Sequence, residues 1–236
     1  MVSARFYLLN SIEMEMEVTK DWLINSGPSR EELLLQMSNC DSRTLERFRY
    51  SNERVPIEIR SSFFRVNGRP AVMGSTIKGI VRNKLEHAGS NRALVDELLG
   101  GEHGLDRWHS EHIESLFYFG NFVYSGNNER EDFKQIYVMN FRNVLYEAAR
   151  KGARFRGSIY CKGIKRERLN SYVQRILEAL NIRPGTSESY SEVFIGRYSN
   201  KGSKGRPVRI GFQDQQVQSS AIFGGVKFRV LRGCEV

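Results

Sequence analysis

The chain has 236 residues, of which 40% are hydrophobic and 27% are charged. This composition excludes a disordered tail and supports a packed core, built either as one enlarged domain or as two small ones. The 36 Lys and Arg residues outnumber the 27 Asp and Glu residues, so the net charge is +9 and an anionic partner is expected.

The targeting and redox features are those of a cytoplasmic protein without a membrane partner. No run of residues approaches the roughly 18 consecutive apolar positions that a membrane span needs. The first residues turn acidic too soon for a secretory signal. The three cysteines, Cys40, Cys161 and Cys234, are an odd number and lie far apart. This spacing excludes a disulfide framework and a zinc site made of cysteines alone.

The first predicted elements are a strand and an insertion. Apolar residues alternate strictly with glutamates over residues 12–18, which predicts a half-buried strand. Residues 28–50 follow as an insertion that contains a short helix. Ser29 is its predicted N-cap, and Glu31 and Glu32 fall in its first turn, where carboxylates are favourable.

A β-hairpin and a helix come next. Asn67 and Gly68 tolerate the positive φ angles of a tight hairpin, and strand-like residues lie on both sides of them. Ser75 is the predicted N-cap of the helix that follows, which ends at His87. Lys78, three residues after this cap, shares one face of the helix with Arg82, at i and i+4.

The middle of the chain combines a second insertion with further strands. Residues 88–114 are polar and rich in glycine, which predicts an inserted loop. Residues 115–126 form an aromatic, strand-like stretch that ends in turn residues. Residues 152–163 keep partial alternation of apolar positions, which predicts another strand.

The last part of the chain contains an amphipathic helix and more strands. The helix is predicted over residues 166–182 and is stopped by Pro184 and Gly185. The order of strand, hairpin, helix, strands, helix and strands predicts an α+β fold. In this fold, a ferredoxin-like antiparallel sheet carries its helices on one face. We expect a single domain over residues 1–236, with insertions at about 28–50 and 88–114.

The positive charge is concentrated in segments where Arg and Lys alternate with glycine. Helix faces exposed to solvent would avoid glycine, which costs about 1 kcal/mol in a helix interior. Glycine instead lets a loop backbone approach a phosphate closely while the basic side chains attract it. The segments are therefore predicted to bind a nucleic-acid backbone. They are residues 65–84, 150–157, 162–168 and 196–209.

Four pieces of the chain resemble, in order and spacing, the landmarks of the RAMP superfamily of CRISPR effector proteins. In that family a glycine-serine turn opens a helix that carries an arginine. A Leu-Phe-Gly element, a Gly-x-x-Phe strand and a glycine-rich basic loop then follow. The matching pieces are residues 70–82, 115–122, 152–159 and 194–212. The chain departs from the family pattern at Met73, where the family has proline, and at Tyr118, where it has leucine.

The resemblance implies a modified ferredoxin-like fold, similar to an RNA-recognition motif, that grips guide RNA. It implies a structural subunit of a type III CRISPR effector complex of the Csm or Cmr type. The partners would be guide RNA, target RNA, other effector subunits and further copies of the same chain, and binding would need no cofactor. The residues expected to contact RNA are Gly74, Ser75, Lys78, Arg82, Gly196, Arg197, Lys201, Lys204 and Arg206.

The same resemblance gives evidence against target cleavage. Cutting subunits of the family carry an aspartate just before the hairpin, and Arg60 stands at that position here. Arginine remains protonated, so it can neither accept a proton nor hold a metal. The nearest substitutes are Asp21, after the first strand, and Asp41, in the first insertion. Asp41 is the candidate for an alternative function. It would make the chain a metal-dependent endoribonuclease that cuts target RNA and needs a divalent cation. A capping or turn role for Asp41 is the simpler interpretation.

Two further functions are weighed against these. Guide-processing RNases of the superfamily use a histidine from the first third of the chain, whereas the first histidine here is His87. A general RNA-binding protein outside CRISPR is the remaining alternative.

A structural zinc site at His103, His109 and His112 has suitable residue types, but three histidines in a polar loop are more often solvated.

Overall fold

The computed structural model describes residues 10–25, 59–103, 111–138, 144–162, 166–196, 208–212 and 215–233. The predicted helix within residues 28–50 lies outside this set. The helices of the described part are α1 (Gly74–His87), α2 (Arg92–Leu99), α3 (Glu129–Asp132) and α4 (Arg166–Ala179). The first strands are β1 (Asn10–Val18), β2 (Trp22–Leu23), β3 (Ile59–Ser61), β4 (Arg65–Val66), β5 (Arg69–Val72), β6 (Gly101–His103), β7 (Glu111–Ile113) and β8 (Phe117–Phe119). The later strands are β9 (Phe122–Tyr124), β10 (Phe133–Val138), β11 (Val144–Arg150), β12 (Arg154–Cys161), β13 (Val193–Phe194), β14 (Val208–Phe212), β15 (Gln215–Ala221) and β16 (Gly225–Arg232).

The main sheet has the strand order β13-β16-β1-β12-β9-β5-β4, and β8 also pairs with β12. All of these pairings are antiparallel. The chain passes through α1 between β5 and the β8–β9 strands, and through α4 between β12 and the C-terminal strands. The observed class is therefore a mixed α and β fold with antiparallel sheets and few helices, as the element order predicts.

The hydrophobic core lies on one face of this sheet. Alternate residues of β1 are fully buried, beginning with Ile12, and they pack with Phe155 of β12 and with the apolar sides of α1 and α4. Ile77 of α1 and Ile176 of α4 are also inaccessible to solvent. This confirms the strand predicted from alternation over residues 12–18. It also shows that the two long helices cover the same face of the sheet.

A second sheet follows the order β15-β14-β10-β11-β2, with β3 paired in parallel to β11. Its own buried cluster includes Trp22, Ile136 and Phe223. The ion pairs of Arg65 join the two sheets. This guanidinium contacts Glu129 at 2.6 Å and Glu147 of β11 at 2.6 Å.

The hairpin between β4 and β5 has the predicted turn. Asn67 and Gly68 both have positive φ angles, of 50° and 79°. Val66 and Arg69 pair directly across the two-residue turn. Positive φ at both central positions matches the right-handed twist of the flanking strands, so this short sequence fixes the hairpin register.

The predicted N-cap of α1 is wrong by two residues. The cap is Met73, which makes no side-chain capping bond, and Ser75 lies inside the first turn. The backbone N–H of Gly74 is instead satisfied by the side chain of Asn121, whose Oδ1 accepts it at 3.0 Å. A distant side chain therefore replaces the local serine, and local sequence alone does not reveal such a cap.

The end of α4 also differs from the prediction. The helix stops at Ala179, before Pro184 and Gly185, because Asn181 adopts a left-handed conformation with φ of 61°. The N–H of Ile182 donates to the carbonyl of Leu177 at 2.9 Å, which closes the helix end. This is a Schellman motif, in which asparagine takes the place more often held by glycine.

The second insertion contains regular structure that composition did not predict. Asn91 caps α2 by accepting the backbone N–H of Ala93 at 3.0 Å. The paired strands β6 and β7 follow, with Glu102 opposite His112. Among the described helices, none combines the length and the apolar character needed to cross a membrane.

The position of Gly74 yields a stability prediction. A Cβ at this residue would lie 1.9 Å from the carbonyl oxygen of Phe119, a backbone atom that cannot move alone. We therefore expect Gly74→Ala to lower the free energy of unfolding by about 1–3 kcal/mol, because α1 must shift away from β8. Chemical denaturation of the purified protein measures this change.

Gly79 provides the matched control in the same helix. A Cβ at Gly79 meets no atom within 4 Å, so Gly79→Ala should stabilise the protein by about 0.5–1 kcal/mol through its helix propensity. Equal stability of the Gly74→Ala variant and the wild type would show that the contact with Phe119 is not constraining.

Candidate nucleic-acid interface

The start of α1 is built from two of the sequence landmarks. Gly74 packs directly against the backbone of Phe119 and Gly120, and Asn121 of the same turn accepts the Gly74 N–H. The glycine-serine turn and the Phe-Gly element, about 45 residues apart in the chain, therefore form one unit.

A third landmark joins this unit from β12. The N–H of Gly120 donates to the carbonyl of Ser158 at 2.9 Å. A Cβ at Gly157 would lie 2.6 Å from the ring of Phe122, so this position also needs glycine. The Gly-x-x-Phe strand thus packs against the β8–β9 turn. That turn contacts the first residues of α1.

Ser75 and Lys78 lie on the first two turns of α1. Ser75 is exposed, and Lys78 is half-buried. Burial lowers the pKa of Lys78, and the positive charge of Arg82 lowers it further. Among the residues that the structure describes, no acidic group contributes to this shift, and the lysine lies in a partly desolvated position. A phosphate group would relieve this cost, since it would supply the missing counter-charge.

Arg82 has a different environment from Lys78, although both were predicted to contact RNA. Its Nη1 contacts Asp96 Oδ1 at 2.9 Å, and its Nη2 donates to the carbonyl oxygen of Gly100. Asp96 is buried on α2. The guanidinium therefore ties α1 to the start of the β6–β7 hairpin. This contact positions the inserted segment relative to the helix.

The basic loop begins beside the strand that leads to α1. Gly196 has a φ of 79°, and a Cβ there would lie 2.4 Å from the carbonyl oxygen of Ile24. Asn25, which follows Ile24 in the chain, donates from its side-chain amide to the carbonyl of Ala71 at 3.0 Å. Ala71 belongs to β5, the strand that precedes α1. The two segments predicted to bind RNA thus start from neighbouring parts of the fold. Outside the described residues lie Arg197, Lys201, Lys204 and Arg206.

The face of the main sheet opposite the helices carries a layer of arginines over a buried carboxylate. Glu15 has a side chain that is only 5% exposed and contacts Arg229 at 2.5 Å and Arg156 at 3.2 Å. The two guanidinium groups are 45% and 61% exposed. Burial alone would raise the pKa of Glu15, but the hydrogen bonds from Arg229 and Arg156 outweigh it and hold the pKa below 4.5.

Comparison with known proteins identifies the family. A model of the RAMP superfamily matches residues 15–210. The chain belongs to the RAMP superfamily. This match spans the landmark segments, and it confirms the family that those segments predicted. No curated protein sequence matches the chain.

Three solved structures are similar to this RAMP protein at low identity. One is a chain of the type III-B Cmr-beta bound to cognate target RNA, with 16% identity and a TM-score of 0.41, covering 72% of this chain and 52% of that one. Another is a chain of a type IV-B CRISPR complex, with 8% identity and a TM-score of 0.44, covering 72% of this chain and 81% of that one. The third is Csm3 of Methanopyrus kandleri, with 13% identity and a TM-score of 0.39, covering 73% of this chain and 68% of that one. The RAMP protein spans about half the length of the first of these chains.

The candidate catalytic and metal positions are only partly described. Arg60 lies within β3, opposite Leu145 of β11, and Asp41 lies outside the described residues. Of the zinc candidates, His103 and His112 belong to β6 and β7, whereas His109 lies outside the described residues. Within the part of the chain that the structure describes, no group of three or more His, Cys, Asp or Glu side chains is arranged to hold a metal ion. The zinc site stays a prediction.

Sequence reasoning missed the residues that organise the interface of this RAMP protein. Asn121 and Asp96 act through long-range contacts that leave no local pattern. Glu15 was easier to find, because it lies in the middle of a predicted strand. A residue there has one partner directly opposite it on each of the two neighbouring strands. Those positions hold Arg156 and Arg229.

The Glu15 contacts predict a dependence of stability on pH. Because the pKa of Glu15 is lower in the folded protein than its ordinary 4.5, its stabilising contribution is complete above about that pH and is lost as the pH falls through the folded value. We expect Glu15→Gln to lower the free energy of unfolding by about 1–3 kcal/mol at neutral pH, since the two arginines lose a charged acceptor. The difference from wild type should narrow in acid. Urea denaturation across the acidic range measures it.

Glu17→Gln serves as the control. Glu17 lies two residues further along β1 and contacts Arg154 at 3.1 Å, but its side chain is 43% exposed. A surface pair of this kind contributes about 0–1 kcal/mol, so this variant should stay close to wild type. A loss of stability in Glu15→Gln that did not change with pH would contradict the proposed electrostatic cause.

Proposed function

We propose that this RAMP protein is a guide-RNA-binding structural subunit of a type III CRISPR interference complex. The family match over residues 15–210 carries this proposal. The subunit would act in the cytoplasm, grip the backbone of the guide RNA and pack against other effector subunits or further copies of itself. Base pairing by the guide would provide sequence specificity, while the protein reads the shape and charge of the backbone.

We assign the main sheet to the ferredoxin-like class that RNA-recognition motifs share. The strand order supports this assignment, because β16, β1, β12 and β9 lie side by side in an antiparallel arrangement. These strands correspond to the fourth, first, third and second strands of that fold. The positions of α1 and α4 in the chain agree with its two helices.

The RNA contacts we propose start at α1 and at the basic loop. Ser75 is exposed at the positive end of the helix, and Lys78 follows on the next turn. The first N–H of α1 is taken by Asn121, so the hydroxyl of Ser75 and the ammonium group of Lys78 are the groups offered to phosphate. Gly196 begins the loop that carries Arg197, Lys201, Lys204 and Arg206. Arg82 acts by holding the inserted segment through Asp96.

The basic side chains give a direct test by salt dependence. Each phosphate contact releases condensed counterions, so binding weakens as salt increases, and the slope counts the contacts. Changing Lys201, Lys204 and Arg206 together to Ala should weaken guide-RNA binding and flatten the plot of log affinity against log salt concentration. Lys78→Ala alone should reduce that slope by about one. Filter binding or fluorescence anisotropy with a labelled guide RNA measures both quantities.

A charge-matched control uses three exposed basic residues outside the predicted RNA-binding segments: Arg130, Lys134 and Arg175. Their replacement by Ala removes the same net charge, so any effect of overall charge should appear in both triple variants. A slope that stays unchanged in the loop variant, or falls equally in the control, would show that the loop is misassigned.

We further propose that this subunit does not cleave RNA, since Arg60 stands where cutting relatives carry an aspartate. An assembled complex containing the Asp41→Ala variant should then cleave matched target RNA, in Mg²⁺ or Mn²⁺, at the wild-type rate. Gel analysis of the cleavage products measures this rate.

The control for the cleavage assay is a complex that lacks this subunit. Cleavage that persists without it would exclude the nuclease role. Loss of cleavage in the Asp41→Ala complex, with guide binding intact, would instead establish Asp41 as a catalytic residue and refute the purely structural role.

A further inference from the structure

Two tyrosines stand directly opposite each other on the helix-free face of the main sheet. Tyr118 of β8 is the register partner of Tyr160 of β12, and the two residues are 40% and 38% exposed. Their neighbours Phe117 and Ile159 are fully buried on the helix-covered face. The alternation of the strands therefore places both rings on the outer face. Directly opposite positions have Cβ atoms about 4.5–5.5 Å apart, so the two side chains are neighbours on this face.

The surroundings of the rings hold them in place. The hydroxyl of Tyr118 donates to Glu114 Oε1 at 2.7 Å, and the ammonium group of Lys162 contacts the other oxygen of the same carboxylate. Ring atom Cε2 of Tyr160 packs beside Gly120, where an added Cβ would lie only 3.3 Å away. These contacts restrict the orientation of both rings, and each tyrosine remains partly exposed.

Cationic groups continue from this pair along the same face. Ser158 and then Arg156 follow Tyr160 at alternate positions of β12, and Arg229 lies beyond β1. The buried Glu15 carboxylate lies beneath the two arginines, so the solvent meets their guanidinium groups. Two arginines over one glutamate leave this part of the surface positive. A guanidinium plane can both stack on a base and attract a phosphate.

We propose that Tyr118 and Tyr160 form a stacking platform for unpaired bases of single-stranded RNA. This inference rests on the RNA-binding function proposed above and adds a second kind of contact to it. Every base has an aromatic face, so such a platform binds RNA without selecting a sequence. The next residue after Tyr118, Phe119, provides the backbone oxygen against which Gly74 packs. The two rings and the start of α1 therefore adjoin the same short element of the chain.

The composition of this face favours RNA over a protein partner. The buried centre of a protein–protein interface is depleted in Lys, Glu, Asp and Ser relative to the rest of the surface. Here the positions next to the rings along β12 are serine and arginine, and Glu13 lies opposite Ser158 on β1. Isolated aromatic rings among cationic side chains are instead typical of single-stranded nucleic-acid binding surfaces.

The test compares ring removal with ring retention in the full-length protein. The probe is a short, unstructured oligouridylate, used alone and annealed to an oligoadenylate complement. The Tyr118→Ala, Tyr160→Ala double variant should bind the single strand at least about tenfold more weakly, because stacking on each ring is lost. Its salt slope should stay unchanged, since the rings do not neutralise phosphates. Binding to the duplex, whose bases are already stacked, should not change.

Two control variants exclude an effect on folding or on any exposed tyrosine. The Tyr118→Phe, Tyr160→Phe variant keeps both rings and should bind within about twofold of wild type, since stacking uses the ring faces. Tyr190→Ala removes a tyrosine that is 56% exposed elsewhere on the protein, against the guanidinium of Arg183, and should also bind normally. Thermal unfolding should show that all variants remain folded.

The possible results separate this inference from the proposed function. If wild type binds RNA and the double Ala variant binds equally well, the stacking platform is refuted while the proposed function stands. If wild type binds no RNA, both are refuted. If the double Ala variant binds RNA normally but fails to join the other effector subunits, the rings belong to a protein interface and the inference is wrong. A weaker affinity with a reduced salt slope would show that phosphate contacts were disturbed, and would also count against stacking.

Discussion

The helix start depends on a contact between backbones that leaves no room for a side chain. Gly74 approaches the Phe119 carbonyl so closely that the first turn of α1 rests directly on the β8–β9 turn. That turn is held in its place by the hydrogen bond from Gly120 to Ser158 of β12. These two contacts therefore fix the position of helix α1 relative to the centre of the sheet. Neighbouring side chains such as Lys78 inherit their positions from this arrangement.

The net charge of the chain is +9, but some of its basic side chains are used in contacts within the protein. Arg82 forms an ion pair with Asp96, and Arg65 forms ion pairs with Glu129 and Glu147. Both arginines lie in the basic segment 65–84, which composition alone assigned to phosphate binding. Lys78 lies in the same segment, but its pKa is lowered by burial and by a like charge. An anionic ligand would improve this environment, so Lys78 differs from its basic neighbours in its contacts.

Much of the fold follows from local patterns in the sequence, and the exceptions share a physical cause. Strict alternation located β1, and the positive φ angles required at Asn67 and Gly68 fixed the hairpin. The family landmarks pointed to Gly74 because such glycines are required by close approach. The errors at Ser75 and at the end of α4 arose where a non-local or rarer partner, Asn121 or Asn181, satisfied the helix terminus.

The candidate site was less predictable than the fold, since its geometry depends on pairs of residues on different strands. Glycine-rich basic segments identify a charged surface, but they do not show which cations are paired internally. Glu15 illustrates the difficulty, because the alternation places it on the exposed face. The two cross-strand arginines cover it and nearly bury it.

At Tyr118 the chain departs from its family pattern, and the position of this residue on the sheet suggests why. The family element has leucine there, and an exposed leucine offers a base only a small, flexible apolar surface. Tyrosine offers a planar ring and a hydroxyl that Glu114 can hold. The adjacent Phe119 and Gly120 keep the family pattern, and they are the residues that support α1. Phe119 and Gly120 therefore support the helix start on one side of the turn, while Tyr118 changes the chemistry of the open sheet face on the other. A single three-residue element thus joins the helix proposed to bind the RNA backbone to the proposed base-binding surface.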